Sequence, residues 1–169
     1  MPAGPSETES LIEHEIRVGA SPETVFAYFT DPAKMVRWMG TEATLDPRPG
    51  GVCRINPSGQ EVMLGEVVEI DPPHRLVFTW GWEREMFATP PQSTLVEVSL
   101  TPDGEGTIVQ LAHRRLQAAA VAFHRVGWEH YLPRLALVAA GGDVGVDPWR
   151  DVAVAISDLR AGGVRLGDM

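Results

Sequence analysis

One long helical period constrains this chain more than any other feature. From Gln117 to Ala140 the residues Val121, His124, Trp128, Tyr131, Leu135 and Val138 recur at steps of three and four, so they share one face of an α-helix. Gly141-Gly142 ends the pattern. Pro133 lies inside it. Its nitrogen cannot donate and its ring crowds the Glu129 carbonyl, which predicts a bend near that point. A helix with so broad an apolar and aromatic face needs an equally broad surface to lie on.

The residues before it supply that surface. Leu11 to Val18 mixes Ile12, Ile16 and Val18 with charge and reads as a first strand. Ser21 then caps a helix with Pro22 at its first position and Glu23 in its first turn; Val25, Phe26 and Phe29 form its buried side. Asp31 and Pro32 restart the pattern as a second short helix through Trp38. After Gly40 the chain turns to strand and turn. Asp46-Pro47-Arg48-Pro49-Gly50-Gly51, Pro57-Ser58-Gly59, Asp71-Pro72-Pro73-His74 and Pro102-Asp103-Gly104-Glu105-Gly106 are turns, since Pro fixes φ and Gly tolerates positive φ. Between them Val52 to Ile55, Val62 to Ile70, Arg75 to Trp82, Leu95 to Leu100 and Thr107 to Arg114 read as strands. Strands joined this closely form an antiparallel meander, and one long helix covers one face of such a sheet when it bends strongly.

Composition narrows the class. The 169 residues suit one domain that buries about two-thirds of its unfolded surface. Hydrophobic residues at 44% and charged residues at 22% are those of a globular chain. The net charge of −9 works against nucleic acid and anionic membrane as partners, because both call for a basic surface. No run approaches the ~20 apolar residues of a membrane span. Met1 to Ser10 is polar and acidic, lacks the basic and apolar regions of a secretory signal, and is expected to be a disordered tail. Cys53 is the one cysteine and forms no internal disulfide, so a cytoplasmic location is the simplest expectation.

The strings ASPETVFAYFTDPAKMVRWMG, DPRPGG, GEVVEIDPPHRLVFTW, STLVEVSLTPDGEGTIVQLAHRRL and HRVGWEHYLPRLALVAAGG occur in that order. Together they resemble the bacterial branch of the activator-of-heat-shock-protein-90-ATPase homologues, in the START-like (SRPBCC) superfamily. The resemblance covers roughly residues 11 to 142. It implies an α+β helix-grip fold: a curved antiparallel sheet of about six to seven strands around a long C-terminal helix, with two short helices after the first strand. The superfamily includes hydrophobic-ligand carriers, polyketide cyclases and chaperone activators, so fold alone does not assign a function. The expected layout is a tail over 1–10, a START-like domain over 11–142 and a C-terminal extension over 143–169. In the extension Trp149, Val152, Ile156 and Leu159 fit a short amphipathic helix.

Strand parity picks out candidate site residues. Leu76, Phe78, Trp80 and Trp82 share one face; Val96, Val98 and Leu100 share another; Val109, Leu111 and His113 a third. Placing these sets on the concave side gives a wall of Trp80, Trp82, Val98, Leu111 and His113. The resemblance turns that wall toward the long helix, where His124, Trp128 and Tyr131 form the inner stripe. Trp38 and Phe87 complete the expected apolar lining, with His113 and Tyr131 orienting polar groups. Apolar walls with few polar tips suit small-molecule binding, although the same aromatics also fill a core. The strand Val62 to Ile70 is open in parity. If Val62, Leu64, Glu66, Val68 and Ile70 face inward, Glu66 becomes a cavity carboxylate able to pair with Arg54 or His113; if not, it is solvated. Glu83 to Gln92, with Met86, Phe87, Pro90 and Pro91, is either a flap over the cavity or a cover for the sheet edge.

The leading reading is a module that binds an apolar or aromatic small molecule, lipid-like or polyketide-like, between sheet and helix. An alternative is a cyclase or aromatase using His113 and Glu66 as acid and base. A third is a chaperone-directed interaction protein. The histidines His14, His74, His113, His124 and His130 show no metal-ligand spacing, no nucleophile motif occurs, and no cofactor is expected. Assembly as a homodimer is left open.

Overall fold

The computed structural model describes residues 10–57, 59, 61–84 and 89–149. The expected tail before Ser10, Met86 and Phe87 in the proposed flap, and the helix expected from Val152, Ile156 and Leu159 lie outside the described residues. The elements run β1 (Ser10–Val18), α1 (Pro22–Thr30), α2 (Pro32–Met35), β2 (Glu42–Leu45), β3 (Val52–Asn56), β4 (Met63–Asp71), β5 (Arg75–Trp80), β6 (Thr94–Asp103), β7 (Gly106–Leu116) and α3 (Ala118–Ala139). One seven-stranded sheet has the order β1-β7-β6-β5-β4-β3-β2, antiparallel throughout. The first strand thus closes beside the last, as a helix-grip sheet requires, and α3 follows directly from β7.

Local chemistry sets the helix starts. Ser21 Oγ accepts from the Thr24 N–H at 3.2 Å and Pro22 occupies the first turn. Asp31 Oδ1 accepts from the Ala33 N–H at 2.9 Å and opens α2. The second helix is shorter than expected. It ends at Met35, and Trp38 and Met39 follow in turns hydrogen-bonded back to the Met35 carbonyl. Gln117 begins α3 without a side-chain cap, and Pro133 stands inside that helix on its exposed side.

The inner face of the sheet is the core. Ile12, Val18, Val109, Leu111, Val96, Val98, Leu100, Leu76, Phe78, Val67, Met63 and Ile55 are all buried there or against it. Burial of each such side chain contributes ~1.5–3 kcal/mol relative to leaving it in water. On α3 the stripe read from the sequence faces inward at His124, Trp128, Tyr131, Leu135 and Val138; Val121 is only half-buried, and Ala120 and Leu132 join the buried set.

The open parity of β4 resolves against the Glu66 set. Met63, Gly65 and Val67 face in, while Leu64 and Glu66 are half-buried and Val68 is exposed. Glu66 pairs across the ladder with Val52, itself exposed, so its side chain leaves on the outer face. A register shift between Val67 and Glu69 then changes the alternation. Gly65 holds this stretch close to β5: a Cβ there would lie 1.8 Å from the Thr79 carbonyl oxygen. The expected Arg75 to Trp82 strand ends at Trp80. Gly81 sits so near the Pro90 backbone that no Cβ fits, and Trp82 resumes as a single bridge to Met63.

Candidate functional site

Three strands and one helix build the aromatic cluster. Trp80 ends β5, Thr94 begins β6, His113 lies near the end of β7, and α3 presents His124 and Trp128 one turn apart. The Trp80 ring centroid lies 5.2 Å from Trp128, 5.6 Å from His113, 5.7 Å from Trp82 and 6.4 Å from His124. The two imidazole centroids are 5.0 Å apart and nearly perpendicular. These rings are all buried.

The hydrogen bonds fix both histidine tautomers. An indole N–H only donates. Trp128 Nε1 donates to His113 Nδ1 at 3.1 Å, so that nitrogen carries no proton. His113 Nε2 therefore holds the hydrogen and donates to Thr94 Oγ1 at 2.8 Å; Thr94 Oγ1 in turn donates to the Trp80 carbonyl at 2.8 Å. The second relay has the same logic. Trp82 Nε1 donates to His124 Nε2 at 3.1 Å, and His124 Nδ1 donates to the Ala120 carbonyl at 2.7 Å. Both imidazoles are neutral. Burial drives the His113 pKa well below its ordinary value, and the neighbouring His124 adds to the effect. Burial lowers His124 to about 4, against the opposing pull of the Ala120 hydrogen bond.

One donor in this cluster is left over. Trp80 Nε1 is buried and has no hydrogen-bond partner among the described residues. A buried, unsatisfied donor costs ~1–3 kcal/mol. The cluster therefore holds closely packed, buried aromatic rings and one unused N–H. It does not offer a proton shuttle, because every histidine nitrogen is already engaged.

The remaining sequence candidates go elsewhere. Leu111 is buried on the inner face, across the ladder from His14 and Val98. Glu66 stands on the outer face, its backbone N–H donating to Thr79 Oγ1 at 2.9 Å, so the expected acid-base pair of His113 and Glu66 is split by the sheet. Arg54, the other expected partner, lies 3.6 Å from Glu83 instead. Trp38 is buried in a separate group, edge-on to Phe29 at 5.3 Å, with Nε1 donating to the Tyr28 carbonyl at 2.9 Å. Tyr131 turns toward His130 and Trp149, with centroids 4.8 and 5.6 Å away. Burial and the charge of Asp147 hold its phenol pKa up. Burial also pushes the Cys53 thiol up to about 12, so it carries no thiolate reactivity near neutral pH. Sequence reasoning missed Thr94. Stepping back by two from Val96 along the inward parity reaches it, so the signal was present.

Comparison with known proteins places this geometry. Residues 19–140 match the family model described as Activator of Hsp90 ATPase homolog 1-like protein. The solution structure of an AHSA1-like protein from Rhizobium etli is 44% identical, covers 83% of this chain and 88% of its own, and superposes with a TM-score of 0.66. The crystal structure of CalU16 from Micromonospora echinospora is 26% identical over 78% of this chain and 76% of its own, with a TM-score of 0.63. The Aha1 dimer of Colwellia psychrerythraea, 20% identical over 79% of this chain and 98% of its own, has a TM-score of 0.66 and shares the fold. No curated protein matches the chain.

Proposed function

The chain belongs to the Activator of Hsp90 ATPase homolog 1-like family, and from that premise we propose that it binds an uncharged aromatic or otherwise apolar small molecule between sheet and long helix. The observation that carries this reading is the unpartnered Trp80 Nε1–H inside a wall built of Trp82, Trp128, His113 and His124. Rings of that kind supply contact area, and a single fixed donor selects a ligand with an acceptor such as a carbonyl oxygen. Neutral imidazoles favour an uncharged ligand, since burying an ion beside them without a counter-charge is costly. Lipid-like and polyketide-like molecules both satisfy these terms.

A matched pair of probes tests it. 9-Fluorenone and fluorene have nearly the same shape, and only the first has a carbonyl. Tryptophan-fluorescence titration of the wild type is expected to favour fluorenone by about fivefold to tenfold, the worth of one net hydrogen bond. In Trp80→Phe that preference disappears while fluorene binding persists. No binding of either probe, or an unchanged preference in Trp80→Phe, refutes the reading.

The family description supports a second reading, an interaction with an Hsp90-type chaperone. Its test is the ATPase rate of a purified bacterial Hsp90-type chaperone with and without this protein; an unchanged rate and no co-elution remove it.

A further inference from the structure

A second site lies outside the aromatic cluster. A cleft of 270 Å³ opens between the turn after α2, the C-terminal half of α3 and the segment 142–147. Arg37, Arg134, Asp143 and Asp147 line it, alongside Val138 and Val144. Its lining charges balance, two cations and two carboxylates.

Asp147 is the informative residue. Its side chain is only 10% exposed. Oδ1 accepts from His130 Nε2 at 2.7 Å and from the Trp149 backbone N–H at 2.9 Å. Oδ2 is buried and has no partner among the described residues. Burial alone favours the protonated acid, but the hydrogen bonds from His130 and the Trp149 N–H, with the nearby Arg134, outweigh it and keep the group ionised. The imidazole is itself held flat on the Trp149 ring, with centroids 3.8 Å apart and planes 9° apart, so the carboxylate is fixed in orientation. An ionised, desolvated oxygen without a donor is among the costliest unsatisfied groups, and such exceptions in folded proteins point to a water, ion or ligand.

The cations are also fixed. Arg134 donates through Nε to the Trp38 carbonyl and through Nη2 to the Gly145 carbonyl, both at 3.3 Å. A guanidinium has five N–H donors, so others remain for a carboxylate. Arg37 donates to Tyr28 Oη at 3.0 Å. The volume falls just under the ~300 Å³ lower end for drug-sized ligands, which suits a small metabolite. The balanced walls disfavour a lone anion or a lone cation.

We propose that this cleft binds a small zwitterion of the free α-amino acid class, its ammonium on the Asp147 carboxylate and its carboxylate toward Arg134. The site is independent of the aromatic cluster, and its test leaves the fluorenone preference untouched.

Isothermal titration of the full chain with L-alanine, L-leucine and L-glutamine reads the result. At least one is expected to bind at millimolar concentration or below. Its N-acetyl and methyl-ester derivatives, which lack one charge each, are each expected to bind at least about tenfold more weakly, and Asp147→Asn to weaken the parent by about tenfold or more. The derivatives on wild-type protein decide the matter even if the variant folds poorly. Absence of binding by all three amino acids up to about 10 mM, as for a cleft that holds only water, overturns the proposal, and so does an N-acetyl derivative that binds as well as its parent.

Discussion

His113 and His124 show how burial decides what a residue does. Each is a titratable group with its protons already assigned: one receives an indole N–H and gives to Thr94, the other receives an indole N–H and gives to Ala120. Protonating either ring would turn an acceptor into a donor facing a donor. The native state therefore resists protonation, and both folded pKa values lie below the ordinary 6.5. The sign follows from linkage. Between pH 6.5 and about 4 the unfolded chain takes up protons that the native chain refuses, so stability present above pH 6.5 is lost as pH falls toward 4. His124 alone accounts for roughly 3 kcal/mol across that range. Urea midpoints measured at pH 7 and pH 4.5 are expected to fall steeply in the wild type. His124→Gln keeps an acceptor for Trp82 and removes the titration, so its midpoint falls less; an identical fall in both proteins would show that the histidine does not report on folding. Chemical type and strand parity marked His113 in the sequence. Its full satisfaction was not legible there, because it depends on Trp128 and Thr94, which are distant along the chain and meet only when α3 lies on the sheet.

Elements with strong local chemistry were the legible ones. Ser21-Pro22 and Asp31-Pro32 set two helix starts, and turns rich in Pro and Gly bounded most strands. The second strand, Glu42–Leu45, was missed because it is a four-residue edge strand with none of its residues fully buried, so no apolar run announces it. The parity of β4 was undecidable because Val and Glu occur on both alternations, and the choice is made by its ladder with β3 and the bulge before Glu69. The start of α3 is a different case, a helix whose position is clear and whose cap is poor. Gln117 has the extended backbone of an N-cap, yet its side chain makes no capping bond and the first turn carries no acid. Gln117→Asp is expected to raise stability by about 1 kcal/mol, since the carboxylate accepts a free helix N–H and meets the positive end of the helix dipole. An increase in the thermal midpoint of several degrees would register it. No change, or a decrease, would mean that the helix N-terminus is satisfied by another group.

At the scale of the whole molecule, residues 143–149 pack against α3 and the core. Gly141, with φ +95°, turns the chain back, and the segment 143–149 returns along the helix it has just left. Trp149 is its anchor: it stacks on His130 and meets Tyr131 edge-on, while Asp147 and Gly145 bond His130 and Arg134. This was only partly legible, because Trp149 reads equally well as the start of an amphipathic helix. The contact has a consequence for two regions at once. Tyr131 and Trp128 lie on the same stripe of α3, so the segment touches the helix whose inner residues close the aromatic cluster. Trp149→Ala removes the stack and the edge contact. Aromatic pairs of this kind contribute ~0.5–1.5 kcal/mol beyond the area they bury, so the thermal midpoint is expected to fall by a few degrees. Hydrogen exchange separates bracing from simple packing. If the segment braces α3, amides of residues 143–149 and of the helix around Tyr131 lose protection together, while those of β6 and β7 are unchanged. Loss confined to 143–149 would make the segment a passenger on the helix, and a uniform loss across the sheet would make it part of the global core.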